Sequence, residues 1–436
     1  MKKILVISWF FPPINSSEGI VTYKLLKNSK LQYDVFTQKN NSSWSYGDDE
    51  CLSIEDNINC IYSDALNLND FVESAYNYYL NNIEKYDIVM TRSMPEESHI
   101  IGLKIKEFNN KIKWIASFGD PIGNNPFTLL SLQSVNPYAL NWTNGIKSVI
   151  KQLFSLLRIF RSLKYKYIKN KNYSLFIKNK NLLEQCILSK CDYVICNNPY
   201  EVEYICKNNQ VDESKFIIFP HSFDKRLYSK KNISKENDKI IFRYIGHLDE
   251  IRTPRLFLEA ISLLYNKYPD LKDKAVFEFY GNMSSSDKLY IIDNYLGDVV
   301  KIKKPVNYLK SLELMKSSDW LIHIDANLFN ILDKNVFFAA KLADYIGSGS
   351  NIIGLTMQDG ASADILRNLG AIITTYSANE IMNYLYLIIY GNYNLQINKK
   401  YIDEFNSVNI ANHFDLFVNN IIKNDEGVKN EKNSIC

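Results

Sequence analysis

Three segments of this sequence, two loops and one predicted helix, combine glycine with charged or hydroxyl side chains, a combination that suits the binding of phosphate and sugar groups. They are residues 11–19 (FPPINSSEG), 246–254 (GHLDEIRTP) and 341–349 (KLADYIGSG). Backbone N–H groups at a helix start bind a phosphate, and a fixed guanidinium such as Arg252 suits a diphosphate. A carboxylate such as Asp344 accepts hydrogen bonds from a ribose. The simpler interpretations are a solvent-exposed arginine and an ordinary carboxylate on a helix surface.

Each of these segments is expected where a predicted strand and a predicted helix meet. Apolar runs of strand length alternate with segments of helical periodicity along the whole chain, which favours a parallel α/β architecture. The predicted strands are Ile4–Ser8, Tyr33–Thr37, Asp87–Thr91, Trp114–Ser117, Tyr193–Cys196, Phe216–Phe219, Ile240–Ile245, Val276–Tyr280, Val300–Ile302, Trp320–His323 and Asn351–Leu355. The pattern restarts at Ile240, so two domains are expected, and 436 residues suffice for both.

These motifs, in this order, resemble those of the GT-B glycosyltransferases, and specifically glycosyltransferase family 4. The resemblance covers residues 4 to about 360: an opening strand with a Pro-Pro loop and Gly19, a second-domain strand ending in Gly246 with a basic residue six positions later, and a further strand–glycine junction at Gly281. The segment 220–224 (PHSFD) is similar to the interdomain motif of the family.

The sequence departs from the family pattern at two positions. Residue 247, directly after the glycine, is His rather than the usual basic residue. The family signature of two acidic residues eight positions apart keeps the second, Asp344, whereas the first falls on Val336. The form seen here looks like a variant found among transferases of bacterial surface polysaccharides.

The resemblance implies a fold of two facing Rossmann-like domains with a cleft between them. The expected division is 1–222 for an acceptor domain, 223–400 for a nucleotide-sugar domain, 401–424 for a helix that crosses back, and 425–436 for a flexible tail. The implied donor-binding residues are Gly19, Gly246, His247, Arg252, Gly281, Lys341 and Asp344. Family members are typically retaining and need no metal, so no metal and no cofactor are expected; the nucleotide sugar is a substrate.

Three residues are implied as catalytic. Arg252 would stabilise the departing diphosphate. Asp120 follows a predicted strand and would position the acceptor or handle its proton, although a helix cap before Pro121 is the simpler interpretation. His99 follows another strand end and is a weaker candidate, since most single histidines are structural.

A basic segment suggests an anionic partner. Residues 147–180 contain ten Lys or Arg and no Asp or Glu, whereas the whole chain carries a net charge of only +3. Apolar residues of the stretch 146–168 fall on one helical face, and the basic residues Lys147, Lys151, Arg158 and Arg161 fall roughly opposite. This pattern is typical of a helix on an anionic membrane surface; an amphipathic helix packed on the core is the alternative. No nucleic-acid motif accompanies the charge.

The remaining features favour a cytoplasmic protein on the inner face of the plasma membrane. Seven cysteines form no CxxC pair, the first apolar run ends at Pro12, and no apolar stretch reaches the ~18 residues that a spanning helix needs. The expected activity is transfer of a sugar from a UDP- or GDP-type donor to a lipid-linked glycan of a bacterial surface polysaccharide. Two alternatives stay open: a catalytically silent partner subunit or glycan-binding protein, and a sugar-nucleotide 2-epimerase.

Overall fold

The computed structural model describes residues 3–14, 16–39, 52–133, 174–228, 238–249, 251–391 and 393–433. These residues form two parallel sheets of seven and six strands, each carrying helices on its faces. The predicted α/β class with two Rossmann-like halves is therefore confirmed. Residues 134–173, which include most of the basic segment, lie outside the described part of the chain.

The first sheet has the order β3-β2-β1-β4-β5-β6-β7. Its strands are β1 (Lys3–Ser8), β2 (Gln32–Gln38), β3 (Ile58–Ser63), β4 (Tyr86–Arg92), β5 (Lys113–Ser117), β6 (Tyr193–Cys196) and β7 (Phe216–Ile218). Every pairing is parallel, with Ile4 opposite Tyr33 on one side of β1 and Ile88 on the other. The strand order reverses beside β1, and open parallel sheets bind ligands at such a point.

The second sheet repeats this plan with the order β10-β9-β8-β11-β12-β13. Its strands are β8 (Ile240–Ile245), β9 (Ala275–Tyr280), β10 (Val300–Lys303), β11 (Trp320–Ile324), β12 (Asn351–Leu355) and β13 (Ile372–Thr374). The strand order reverses beside β8, so the residues after β8 and β9 lie at the equivalent ligand-binding edge.

The helices cover both sheets. They are α1 (Ser17–Lys27), α2 (Leu68–Leu80), α3 (Glu97–Phe108), α4 (Pro126–Gln133), α5 (174–190), α6 (Pro199–Asn209), α7 (Arg255–Lys267), α8 (Leu271–Lys274), α9 (Ser285–Asp293), α10 (Tyr308–Lys316), α11 (Ala340–Ser348), α12 (Ala361–Leu369), α13 (Ala378–Tyr390), α14 (Lys399–Asp403) and α15 (Ser407–Asn433). Side-chain caps fix several starts: Ser16 accepts from the Gly19 amide before α1, and Asn307 accepts from the Lys310 amide before α10.

The chain crosses between the domains twice. After β7, the Phe223 ring packs against α11 so closely that a Cβ on Gly347 would lie 2.3 Å from it. The Phe223 carbonyl accepts a hydrogen bond from the Ser407 amide, 2.9 Å away. This pairing interrupts the helix expected to begin at 401, so α14 ends at Asp403 and α15 begins at Ser407.

Helix α15 returns to the first sheet, where Phe414, Val418 and Ile421 are buried in the same core as β1 and β2. It continues to Asn433, through most of the segment predicted as a flexible tail. The helical spacing of apolar residues ends at residue 422. It therefore predicts where α15 stops packing on the first domain, and not where the helix itself ends.

Candidate functional site

A cavity of about 260 Å³ lies between the two domains. Helix α1 of the first domain forms one wall. The second domain forms the other wall from the residues that follow β8, β9 and β10, together with α10 and α11. The cavity thus lies at the carboxyl edge of the second sheet, beside the strand where the order reverses. Five of the predicted donor residues line it: Gly246, His247, Gly281, Lys341 and Asp344.

The two strand-end glycines allow the backbone to pass close to a ligand. Gly246 has a φ of +144° and Gly281 a φ of +140°, a region that L side chains rarely adopt. A Cβ on Gly281 would lie 1.9 Å from the carbonyl oxygen of Gly246, so the two strand ends require glycine on that side. Because neither position carries a side chain, the backbone itself lines the cavity there.

Lys341 supplies positive charge directly beside Gly246. Its ammonium lies 2.5 Å from the hydroxyl of Tyr244 and 3.9 Å from the centroid of that ring. Burial and the nearby Arg252 guanidinium lower the pKa of Lys341 to about 7. Helix α11 begins one residue earlier at Ala340, which also lines the cavity, and none of the described side chains caps this helix start. Both features favour an anionic ligand.

Arg252 lies at the far end of the cleft rather than in the cavity wall. Its loop is fixed because the Asp249 carboxylate accepts the amides of residues 251 and 252, at 2.8 and 2.7 Å. The guanidinium reaches the first domain, where it lies 5.1 Å from the centroid of the Phe127 ring. It is close enough to both Lys341 and Asp120 to lower the pKa of each. The guanidinium therefore lies between Lys341 of the cavity and Asp120 of the first domain.

Asp344 is buried in an ion pair that joins the domains. Its Oδ1 atom accepts from the Lys24 ammonium of α1 at 2.9 Å and from the Tyr308 hydroxyl at 3.0 Å. The exposed fraction is 0% for Lys24 and 4% for Asp344. Burial raises the pKa of Asp344, whereas Lys24 and Tyr308 oppose this rise. The sequence interpretation singled out Asp344 but gave Lys24 no role, because nothing local distinguishes one lysine of an amphipathic helix.

The first domain contributes a second charged group on its own side of the cleft. Arg92, at the end of β4, donates to Glu18 at 2.6 Å and to the Phe118 carbonyl at 3.0 Å. Asp120 follows β5 nearby, and its burial together with the Glu18 carboxylate raises its pKa to about 7, although Arg252 and Arg92 oppose this rise. A carboxyl group that titrates near neutral pH is suited to proton transfer. Sequence reasoning missed Arg92, because a single arginine at a strand end carries no signal of its own.

The other predicted residues are neighbours of this charged group or of the cavity: Gly19 directly follows Glu18 in the chain, and the Arg92 charge adds to the lowering of the His99 pKa. His99 has no exposed surface; its Nδ1 lies 2.7 Å from the Thr91 hydroxyl, and burial lowers its pKa to about 3. Gly19 lies in the first turn of α1, where a Cβ would be 3.1 Å from the backbone of Phe10 and Phe11, so it allows the helix to approach that loop. His247 lines the cavity with 59% of its side chain exposed.

Apolar side chains also join the two domains across the cleft. The rings of Phe127 and Phe337, one from each domain, stack with centroids 4.1 Å apart. Val336, at the position of the absent first acid, is buried, and its carbonyl accepts from the side-chain amide of Asn198 at 2.8 Å. Its side chain belongs to an apolar cluster against which Phe127 and Tyr200 of the first domain pack, so an apolar residue at this position serves domain contact.

The predicted membrane-facing residues Lys147, Lys151, Arg158 and Arg161 lie outside the described residues. Helix α5, which follows them, exposes the apolar side chains Leu175, Phe176 and Leu182. In the ranges the structure covers, no helix combines the length and apolarity needed to span a bilayer. Nor do three or more His, Cys, Asp or Glu side chains of those ranges gather as metal ligands.

Comparison with known proteins places this geometry in a fold class. No protein-family model matches the chain, and no curated protein matches it in sequence. Among solved structures, it is similar to a sucrose-phosphate synthase from Thermosynechococcus elongatus, with a TM-score of 0.64, 14% identity, and 97% of this chain and 100% of that chain covered.

Two further structures are similar over nearly their whole length. The lipopolysaccharide outer core galactosyltransferase WaaB gives a TM-score of 0.55 at 12% identity, with 96% of this chain and 99% of that chain covered. A putative UDP-N-acetylglucosamine 2-epimerase from Listeria monocytogenes gives 0.53 at 10% identity, with 95% of each chain covered. At such identities the likeness concerns the fold alone, and the chain has the GT-B fold of two facing α/β domains.

Proposed function

We propose that this protein is a glycosyltransferase that moves a sugar from a UDP- or GDP-type donor to a glycan acceptor with retention of configuration. One observation carries the proposal: the cavity at the carboxyl edge of the second sheet joins two strand-end glycines, Lys341 and Asp344, while Arg252 faces the acceptor side of the cleft. This set of residues matches the parts of a sugar nucleotide in order. Asp344 would hold the ribose, and the diphosphate would lie between Lys341 at the start of α11 and Arg252, with the sugar beyond it toward the first domain.

The residues on both sides of the cleft support a division of labour during transfer. The bond between the anomeric carbon and the diphosphate breaks with its electron pair passing to the diphosphate. Arg252 and Lys341 would stabilise the negative charge that develops there. The acceptor oxygen bonds the anomeric carbon and loses its proton, and Asp120 would receive or position that proton because its pKa lies near 7. His99 would support the site only indirectly, through its contact with Thr91 near the end of β4.

For the acceptor we propose a lipid-linked glycan of a bacterial surface polysaccharide. The acid-free basic segment 147–180 and the apolar side chains exposed on α5 support a peripheral position on an anionic membrane. An enzyme placed there meets a lipid-linked acceptor without removing it from the bilayer. WaaB, a structural neighbour, acts on lipopolysaccharide according to its name.

Release of free sugar from UDP-glucose, UDP-galactose, UDP-N-acetylglucosamine, GDP-mannose and GDP-glucose tests the reaction, followed by NMR of the anomeric proton in buffer with EDTA. We expect one donor to release a sugar whose first-formed anomer matches the donor configuration, and Arg252→Ala to slow release at least tenfold. Arg255→Ala is the matched control, because Arg255 pairs with Asp287 and packs on Tyr290 away from the cavity. Formation of the opposite anomer, or activity only with added metal, would contradict the proposal.

The 2-epimerase alternative has a specific observation in its favour, the similarity to the putative epimerase from Listeria monocytogenes. The same NMR experiment separates the two reactions. An epimerase converts the donor into its 2-epimer with the bond to the diphosphate re-formed, whereas a transferase accumulates free nucleotide. A protein that binds nucleotide but does neither would fit the silent-partner alternative.

A further inference from the structure

Helix α1 presents one face to the donor cavity although it belongs to the opposite domain. Ser17, Ile20, Val21 and Lys24 all line the cavity, and their spacing places them on the same side of a helix. The C-terminal end of α1 is fixed independently. The Lys27 ammonium lies 3.2 Å from Glu55, and the side-chain amide of Asn28 donates to the Ser407 hydroxyl at 3.0 Å. Lys24 therefore extends into the cavity from a rigid support.

The Lys24 contact uses only one oxygen of Asp344. Lys24 and Tyr308 both donate to Oδ1, and no described residue donates to Oδ2. Because Asp344 lines the cavity, Oδ2 is the oxygen available to a ligand there. Two fully buried opposite charges are stable only as a pair, so either residue alone would be strongly unfavourable in this closed arrangement.

The charges around Asp344 explain why Lys24 matters for its ionisation. Tyr308 and Tyr228 face it from α10 and the interdomain segment, Tyr228 through a 2.6 Å hydrogen bond to its carbonyl. Lys341 and His247 line the same cavity. Burial raises the pKa of Asp344, and Lys24 is the strongest opposing influence. Without that ammonium, the carboxyl would hold its proton at a higher pH.

We propose that Lys24 is a positioning residue for the donor nucleotide: from the acceptor domain, it orients the Asp344 carboxylate and keeps it ionised, so that Oδ2 accepts a hydrogen bond from the ribose only when the two domains are closed. The proposal rests on the proposed function and deepens it. It adds a residue of the first domain to a site otherwise built by the second. Domain closure and ribose binding are thereby coupled through one ion pair.

The test is calorimetric titration of UDP and GDP between about pH 5.5 and pH 8.5, on wild type, Lys24→Met, Lys24→Arg and Lys27→Met. Each variant is compared with wild type at the same pH, so that protonation of the nucleotide cancels. Lys27→Met is the matched control, because Lys27 lies on the same helix and pairs with Glu55 outside the cavity. Thermal unfolding of each variant monitors folding, and Lys24→Gln replaces Lys24→Met if the latter does not fold.

We expect Lys24→Met to weaken binding at least tenfold at pH 7 and to move the loss of binding on acidification upward by at least one pH unit. The sign follows because the carboxylate form of Asp344 exists only above its pKa, and removing Lys24 raises that pKa further. Lys24→Arg stays permanently charged and should keep the wild-type pH profile. In the Asp344→Asn background, Lys24→Met should shift no pH profile, because the titrating group is gone.

Three outcomes would overturn the proposal. Equal weakening by Lys24→Met at every pH would mean that Lys24 supplies only charge or packing, and unchanged binding would mean that it has no part in the site. A wild-type protein that binds neither nucleotide would end the proposed function as well, so this failure is distinguishable from the other two.

Discussion

We predict that Lys341 makes the proposed nucleotide binding depend on pH. Burial and the Arg252 guanidinium lower the pKa of Lys341 from an ordinary value of 10.5 to about 7. A diphosphate beside the ammonium would raise that pKa again, since an opposite charge favours the charged form. Above pH 7, binding must therefore be accompanied by uptake of a proton, and it should weaken as pH rises.

The magnitude follows from the size of this shift. Each pH unit above 7 costs about 1.4 kcal/mol as long as the bound pKa is higher than the pH. Between pH 7 and about pH 9 the dissociation constant of UDP or GDP should rise by up to about 50-fold, or ~2.3 kcal/mol, because half of the Lys341 side chains are already neutral at pH 7. A terminal phosphate, with a second pKa of about 6, is already ionised over this range and does not contribute.

Calorimetry in two buffers of different ionisation enthalpy measures the proton directly. At about pH 8.5, wild type should take up close to one proton per nucleotide, whereas Lys341→Met should take up none and bind with little dependence on pH. Lys310→Met is the matched control, because Lys310 forms an exposed ion pair with Glu313 on α10. A wild-type protein that takes up no proton, or a Lys341→Met variant that keeps the slope, would mean that Lys341 does not bind the diphosphate.

Three further predictions concern the fold, the acceptor side and the membrane. Gly347→Ala should lower the free energy of unfolding by about 1–3 kcal/mol in denaturant titrations, because its Cβ meets the Phe223 ring, while Gly297→Ala, with nothing within 4 Å, should leave it nearly unchanged. Transfer by wild type should decline below about pH 7 as Asp120 becomes protonated, and Asp120→Asn should remove this dependence and slow transfer at least tenfold. Vesicles containing phosphatidylglycerol should carry wild type upward in flotation. A variant with Gln in place of four basic residues should not float with them, the four being Lys147, Lys151, Arg158 and Arg161. Equal flotation of both proteins would contradict binding of this segment to an anionic membrane.

The strands were the most predictable part of the fold. Buried parallel strands are continuous apolar runs, so eleven of them could be placed from the sequence. The two that were missed have physical reasons: β3 is an edge strand with Tyr62 exposed, and β13 has only three residues. Domain pairing could be expected only from the resemblance, because no local pattern encodes which helix of one domain faces the other.

The two glycines of the candidate site were predictable for a similar reason. Gly246 and Gly281 end their strands, and their positive φ values require glycine there, so the residue type itself carries the signal. Lys24 and Arg92 carry no such signal, since their importance arises from contacts with residues 320 and 74 positions away. Val336 is the opposite case. The sequence shows that the first acid is absent, but it does not show that Val336 packs between the domains instead.

We propose that the cavity between the domains binds a sugar nucleotide whose diphosphate is held by Arg252 and Lys341. Titration of wild type, Arg252→Ala and the control Arg255→Ala with UDP and GDP measures this binding. We predict that wild type binds one of the two nucleotides and that Arg252→Ala loses at least about 1.5 kcal/mol, while Arg255→Ala binds as wild type does. Absence of binding of either nucleotide to wild type, with or without divalent metal, would contradict the account.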